Sequence, residues 1–131
     1  MLGVYAAEVR GALVMADTPA HRVEAIVRAS FAPRNFRVET VSSWMNFYAL
    51  AQRSDEAERL LNIYHRRLRS NLRFALRPLV GSRAEDVAGR VAALIDGVYL
   101  RQSLGGGTPD SVRANRQVMG YVTLEIEKAL I

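Results

Sequence analysis

The sequence has no cysteine. That excludes a disulfide framework, a thiolate zinc site and a cysteine nucleophile. Histidine occurs only at His21 and His65, which argues against a multi-histidine metal centre. Apolar residues are never continuous over the roughly 20 positions that a membrane span needs. The first fourteen residues lack a basic leader region and carry Glu8 and Arg10, so they do not read as a signal peptide and point to a cytoplasmic protein. No stretch alternates apolar and polar residues for long, and no Asn-Gly or Asp-Gly turn appears, so strand and hairpin signals are missing.

What is present is a chain of 131 residues, half of them hydrophobic, with 18 Lys and Arg against 13 Asp and Glu. This length suits one domain, here 1–131, and such a domain buries about two-thirds of its unfolded surface. The hydrophobic fraction excludes disorder. The net charge of +5 raises nucleic acid as a partner, although a basic balance speaks of solubility and attraction rather than of fold.

The punctuation predicts an all-α chain of about six helices. The first runs from Leu2 to about Ala16, without a capping signal. Thr18-Pro19 and Thr108-Pro109 each pair an N-cap residue with proline at the first helical position, where a missing N–H costs nothing. They start helices reaching about Phe31 and Leu130. A third helix is expected from about Thr40 to Arg53. A fourth follows Ser54-Asp55 and reaches about Arg77, with Leu61, Tyr64, Leu68, Leu72 and Leu76 recurring at steps of three and four. A fifth spans about Arg83 to Leu104 and stops at Gly105-Gly106-Gly107. Between Val91 and Leu100 its one charged residue is Asp96, with apolar positions on two sides. In a chain this small, one side is expected to face a second subunit, so the last two helices form the dimer bundle. The candidate interface residues are Val87, Val91, Leu94, Val98, Val112, Met119, Val122 and Ile126.

Three features could carry chemistry. Asp96 has Ala92, Ala93, Tyr99 and Leu100 as its helical neighbours. A buried carboxylate needs a partner, which could be a Tyr hydroxyl or an Arg within the fold, or a cationic ligand. Trp44, Phe47 and Tyr48 crowd one short segment, either as core or as ring faces for a cation, where each desolvated ring contributes about 2 kcal/mol. Arg59, Arg66, Arg67, Arg69, Arg73 and Arg77 lie off the apolar stripe of the fourth helix and read as a solvated face. Neither histidine suggests a triad. The triple glycine has no preceding strand and no following Gly-Lys-Ser/Thr, so it is no phosphate loop. No catalytic residue, metal site or cofactor site emerges.

Trp44-Met45-Asn46-Phe47-Tyr48, Arg66-Arg67-Leu68-Arg69-Ser70-Asn71-Leu72 and Ala92-Ala93-Leu94-Ile95-Asp96-Gly97 occur in order at a spacing that resembles the TetR-type repressors. The likeness is strongest to their BetI-type branch, the choline-responsive regulators of glycine betaine synthesis genes. Arg113-Ala114-Asn115 adds to it, and it covers nearly everything from Val23 onward. It implies a C-terminal effector-binding and dimerisation domain, the first residues being part of the family's long connecting helix. The helix-turn-helix has no counterpart here, so DNA would be bound only by a full-length repressor. It also implies a homodimer with no enzymatic activity. A choline-like effector would make Trp44, Phe47, Tyr48, Tyr64, Asp96 and Tyr99 a plausible cage. Another hydrophobic or cationic effector, or a stand-alone helical dimer, remains open on the residues alone.

Overall fold

The computed structural model describes residues 7, 9–11, 13, 14, 16–32, 36–105 and 107–131. Among them the chain is all-α, with five helices: α1 (Pro19–Ser30), α2 (Val38–Ala51), α3 (Asp55–Val80), α4 (Ala84–Leu104) and α5 (Ser111–Ala129). The helix expected before residue 17 lies partly outside the described residues. Ala7, Val9, Arg10, Gly11, Leu13 and Val14 are helical, and Val9 reaches the core.

Local chemistry sets most of the boundaries. Thr18 accepts a hydrogen bond from the backbone N–H of His21 at 3.1 Å and starts α1 with Pro19 in its first turn. Ser54 accepts from Ala57 N at 3.3 Å, and Asp55, Glu56 and Glu58 follow in the first turn of α3, where carboxylates favour the helix dipole. At the far end α3 continues past Arg77, through Pro78, to Val80. It stops at Gly81, whose φ of +62° and ψ of −131° suit glycine alone. A single 3₁₀ turn, Gly81–Arg83, then feeds α4.

α5 starts later than Thr108-Pro109 suggests. Its cap is Asp110, whose side chain accepts from Arg113 N at 3.0 Å. The side chain of Gln102, on α4, accepts from Asp110 N at 3.0 Å and donates to Asp110 O at 3.4 Å. This clamp holds Asp110 extended and delays the helix by two residues.

α3 is the central helix. Its 26 residues span about 39 Å and pack against α1, α2, α4 and α5. Leu68, Leu72 and Leu76 meet Val23, Ile26 and Val27 of α1, Val87, Val91 and Ile95 of α4, and Val118 and Val122 of α5 in one continuous core. No described helix is long and apolar enough to cross a membrane.

Both apolar stripes of α4 are covered within one chain, because the helix lies among α2, α3 and α5. The candidate interface set therefore needs correction. Val87, Val91 and Val122 have no exposed surface, Val98 is buried, and Leu94, Met119 and Ile126 pack partly buried against the core. Of the eight, Val112 alone is well exposed, at 65%. The outward side of α4 instead carries Ala93, Gly97, Leu100 and Leu104.

Glu125 is a buried charge that patterning does not reveal. Tyr121 donates to its Oε2 at 3.0 Å, Arg83 to its Oε1 at 3.3 Å, and Arg90 approaches at 3.5 Å. Arg83 also donates to its backbone oxygen at 3.0 Å. The Tyr121 hydroxyl, followed by the Arg83 guanidinium, holds this carboxyl below the ordinary range, tying the 3₁₀ turn and α4 to α5.

Candidate functional site

α2 has no side-chain cap at its start, and its role is to carry rings. Val41, Trp44, Tyr48 and Ala51 recur at steps of three and four, so one side of the helix turns toward α3 and α4. Trp44 is only 3% exposed. Around it stand Tyr64 of α3 at a centroid distance of 5.0 Å, Tyr48 at 5.9 Å and Phe47, edge-on, at 6.3 Å. Such separations and tilts are those at which aromatic quadrupoles attract.

Asp96 of α4 lies at the open edge of this cluster. The Tyr48 hydroxyl donates to its Oδ1 at 3.2 Å. His65 Nε2 stands 3.4 Å from its Oδ2. The Asp96 side chain is 36% exposed and that of His65 35%, so the carboxylate faces water on one side and rings on the other. The His65 ring stacks on Tyr48 at 22° and 6.4 Å and tilts against Tyr64 at 5.3 Å. Three helices thus bring together an indole, two phenols, an imidazole and a carboxylate.

The fold gathers five of the six expected site residues: Trp44, Phe47, Tyr48, Tyr64 and Asp96. Tyr99 is elsewhere. It stacks on Phe31 at 5.6 Å and meets Phe36 edge-on at 5.0 Å. Its hydroxyl donates to Ser30 O at 2.8 Å, satisfying a carbonyl at the end of α1. Three residues beyond Asp96, Tyr99 turns toward α1 rather than α2. His65 is the site residue that sequence reasoning missed. Its place directly after Tyr64, on the flank of the apolar stripe of α3, was the available signal.

Two polar grooves lie away from the rings. One of about 440 Å³ is lined by Arg101, Gln102, Asp110 and Arg113 among others, between the end of α4 and the start of α5. Another of about 360 Å³ is lined by Arg66, Arg69, Ser70, Arg73 and Glu85. Glu85 bridges Arg69 and Arg73, each at 3.1 Å, and Arg73 chiefly draws its carboxyl below the ordinary range. Arg59, Arg66, Arg67, Arg69, Arg73 and Arg77 are all exposed, as a solvated face requires.

Residues 19–127 match the family described as BetI-type transcriptional repressor, C-terminal. The chain is 41% identical over 120 residues to the HTH-type transcriptional regulator BetI of Brucella canis, covering 91% of this chain and 61% of that protein. To the regulator of the same name from Rhizobium meliloti it is 47% identical over 116 residues, covering 88% of this chain and 57% of that one. The chain thus spans about three-fifths of the length of these relatives. A solved structure of a transcriptional regulator from Pseudomonas aeruginosa PAO1 superposes with a TM-score of 0.81 at 23% identity, over 97% of this chain and 65% of that one, a likeness of fold. The chain belongs to the BetI-type branch of the TetR-type transcriptional repressors, matching that family's C-terminal domain.

Proposed function

We propose that residues 1–131 form the effector-binding and dimerisation domain of a cytoplasmic TetR-type repressor, and that the effector is a small quaternary ammonium cation of the choline kind. The observation that carries this reading is the position of Asp96, a carboxylate at the open edge of a cluster built from Trp44, Tyr48 and Tyr64. A quaternary ammonium has no N–H and forms no conventional hydrogen bond through its nitrogen. It is recognised by charge and by ring faces, each desolvated ring contributing about 2 kcal/mol. The rings pack on one another here, so a cation enters by parting them. Parting them moves α2 against α3 and α4, a packing change that a repressor can transmit.

Homodimerisation fits the outward face of α4. Ala93 and Gly97 are small and exposed, and Leu100 and Leu104 beside them leave 47% and 78% of their surface open. On α5, Gly120 and Leu124 are exposed as well. Small residues allow close helix approach, and apolar surface of this kind suits a partner of the same chain. Operator DNA belongs to the intact repressor, and the arginine face of α3 is a solvated surface.

Trp44 is the sole tryptophan and reports directly on the cluster. Titration with choline is expected to change its fluorescence saturably, and Asp96→Asn to weaken the response at least about tenfold, which is about 1.4 kcal/mol. An unchanged spectrum up to millimolar choline, with no heat of binding, overturns the choline assignment.

A further inference from the structure

His65 was not part of the expected cage, yet it stands within ionic reach of the group on which cation recognition depends. Its Nε2 is shielded from solvent and makes no hydrogen bond among the described residues, although Asp96 Oδ2 lies 3.4 Å away. A buried ring nitrogen without a hydrogen bond is costly. If Nε2 carries no proton, its lone pair meets a carboxylate. If it carries the single proton of a neutral ring, it faces Asp96 without charge, and only when both ring nitrogens are protonated does a cation stand beside that same carboxylate. The ring is held where it can respond, stacked on Tyr48 from α2 and tilted against Tyr64 on its own helix.

The ionisable groups meeting the imidazole are Tyr48 from α2, Asp96 from α4 and Tyr64 beside it on α3. Further along α3, Arg69 one turn away is engaged with Glu85, and Arg66 is exposed. Asp96 is thus the single carboxylate in contact with His65 among the described residues.

We infer that His65 is an internal competitor for the cation: protonated, it occupies Asp96 in place of the effector, and neutral, it releases the carboxylate to an incoming quaternary ammonium. The inference rests on the effector reading above and adds its regulation. It makes sensing depend on pH, because imidazole changes charge within the physiological range. It also makes cation binding expel a proton, since two positive charges cannot share one carboxylate at this distance without repulsion.

The test uses tetramethylammonium, which carries the charge and methyl groups of the class and has no titrating group of its own. Calorimetric affinity is measured at about pH 8 and about pH 5.5, spanning the range in which imidazole charges. The wild type is expected to bind at least about fivefold more weakly at the lower pH. His65→Gln, neutral throughout, is expected to show no such slope and to bind at pH 5.5 as the wild type does at pH 8. Its circular dichroism verifies that the helices persist. Titrations at intermediate pH in two buffers of different ionisation heat give a second readout: fractional proton release in the wild type and none in H65Q. Binding at pH 8 with no slope, or a slope that survives in H65Q, overturns this inference alone. No binding at either pH overturns the effector reading together with it.

Discussion

The hydroxyl of Tyr48 reaches across from α2 to α4 and donates to Asp96 Oδ1 at 3.2 Å. This bond joins the helix that carries the aromatic cluster to the helix that carries its one negative charge. A cation bound as proposed would use both groups and so act on the bond between them. Tyr48→Phe keeps the ring and removes the donor. It is expected to lower stability by about 0.5–1.5 kcal/mol, the usual net worth of such a bond, and to leave a carboxylate that is less well held. Thermal melting measures the first effect. A choline titration measures the second, with an expected loss smaller than that of Asp96→Asn.

Tyr99 provides the contrast. Its hydroxyl serves Ser30 O at the end of α1, within a ring cluster of Phe31 and Phe36. Tyr99→Phe is expected to cost about 1–2 kcal/mol of stability, since a buried carbonyl loses its donor, while cation affinity stays unchanged. A loss of affinity equal to that of Y48F would return Tyr99 to the site.

Glu125 links stability to acid. Its folded-state carboxyl titrates below the ordinary range, chiefly because Tyr121 donates to it. The stabilisation is therefore present above the unfolded-state value and disappears as pH falls through the folded-state value. Glu125→Gln is expected to be less stable than the wild type at about pH 7, and the difference between them is expected to shrink toward about pH 3. Melting curves across that range give the comparison directly.

Gly81 sits at φ +62° and ψ −131°, where a side chain is strained even though a Cβ there would meet no atom within 4 Å. Gly81→Ala is expected to destabilise the fold by roughly 1–3 kcal/mol through backbone strain alone, measurable by chemical denaturation.

The outward face of α4 gives a prediction about assembly. Gly97→Arg places a charge where close approach is proposed, on a residue whose Cβ direction is open. Sedimentation is expected to show a dimer for the wild type and a monomer for G97R, with the helical content of each chain unchanged. An unchanged dimer moves the interface elsewhere.

What could be read from the sequence was what depends on near neighbours. Thr18-Pro19 and Ser54 start helices by bonds three residues long, and both are found. The stripe along α3 is core for the same reason, a period of 3.6 seen against one interior. Errors arose where a distant residue decides. Gln102 clamps Asp110 and postpones α5, against the local signal of Thr108-Pro109. A helix apolar on two sides suggests a second subunit, yet α2, α3 and α5 cover both sides of α4 within one chain. The need of Asp96 for a partner was legible from its apolar neighbours, and the Tyr48 hydroxyl meets it. The approach of His65 was not, because it depends on how three helices pack. The direction of Tyr99 was lost similarly: helical spacing places it one turn from Asp96 without saying which neighbouring helix each one faces.

The most direct test of the account is a calorimetric titration of a small quaternary ammonium cation, at about pH 8, into the wild-type chain and into Asp96→Asn. Saturable one-site binding by the wild type and at least about a tenfold loss in D96N are expected, both proteins melting as folded helical domains. Equal affinity in the two proteins, or no heat in the wild type, contradicts it.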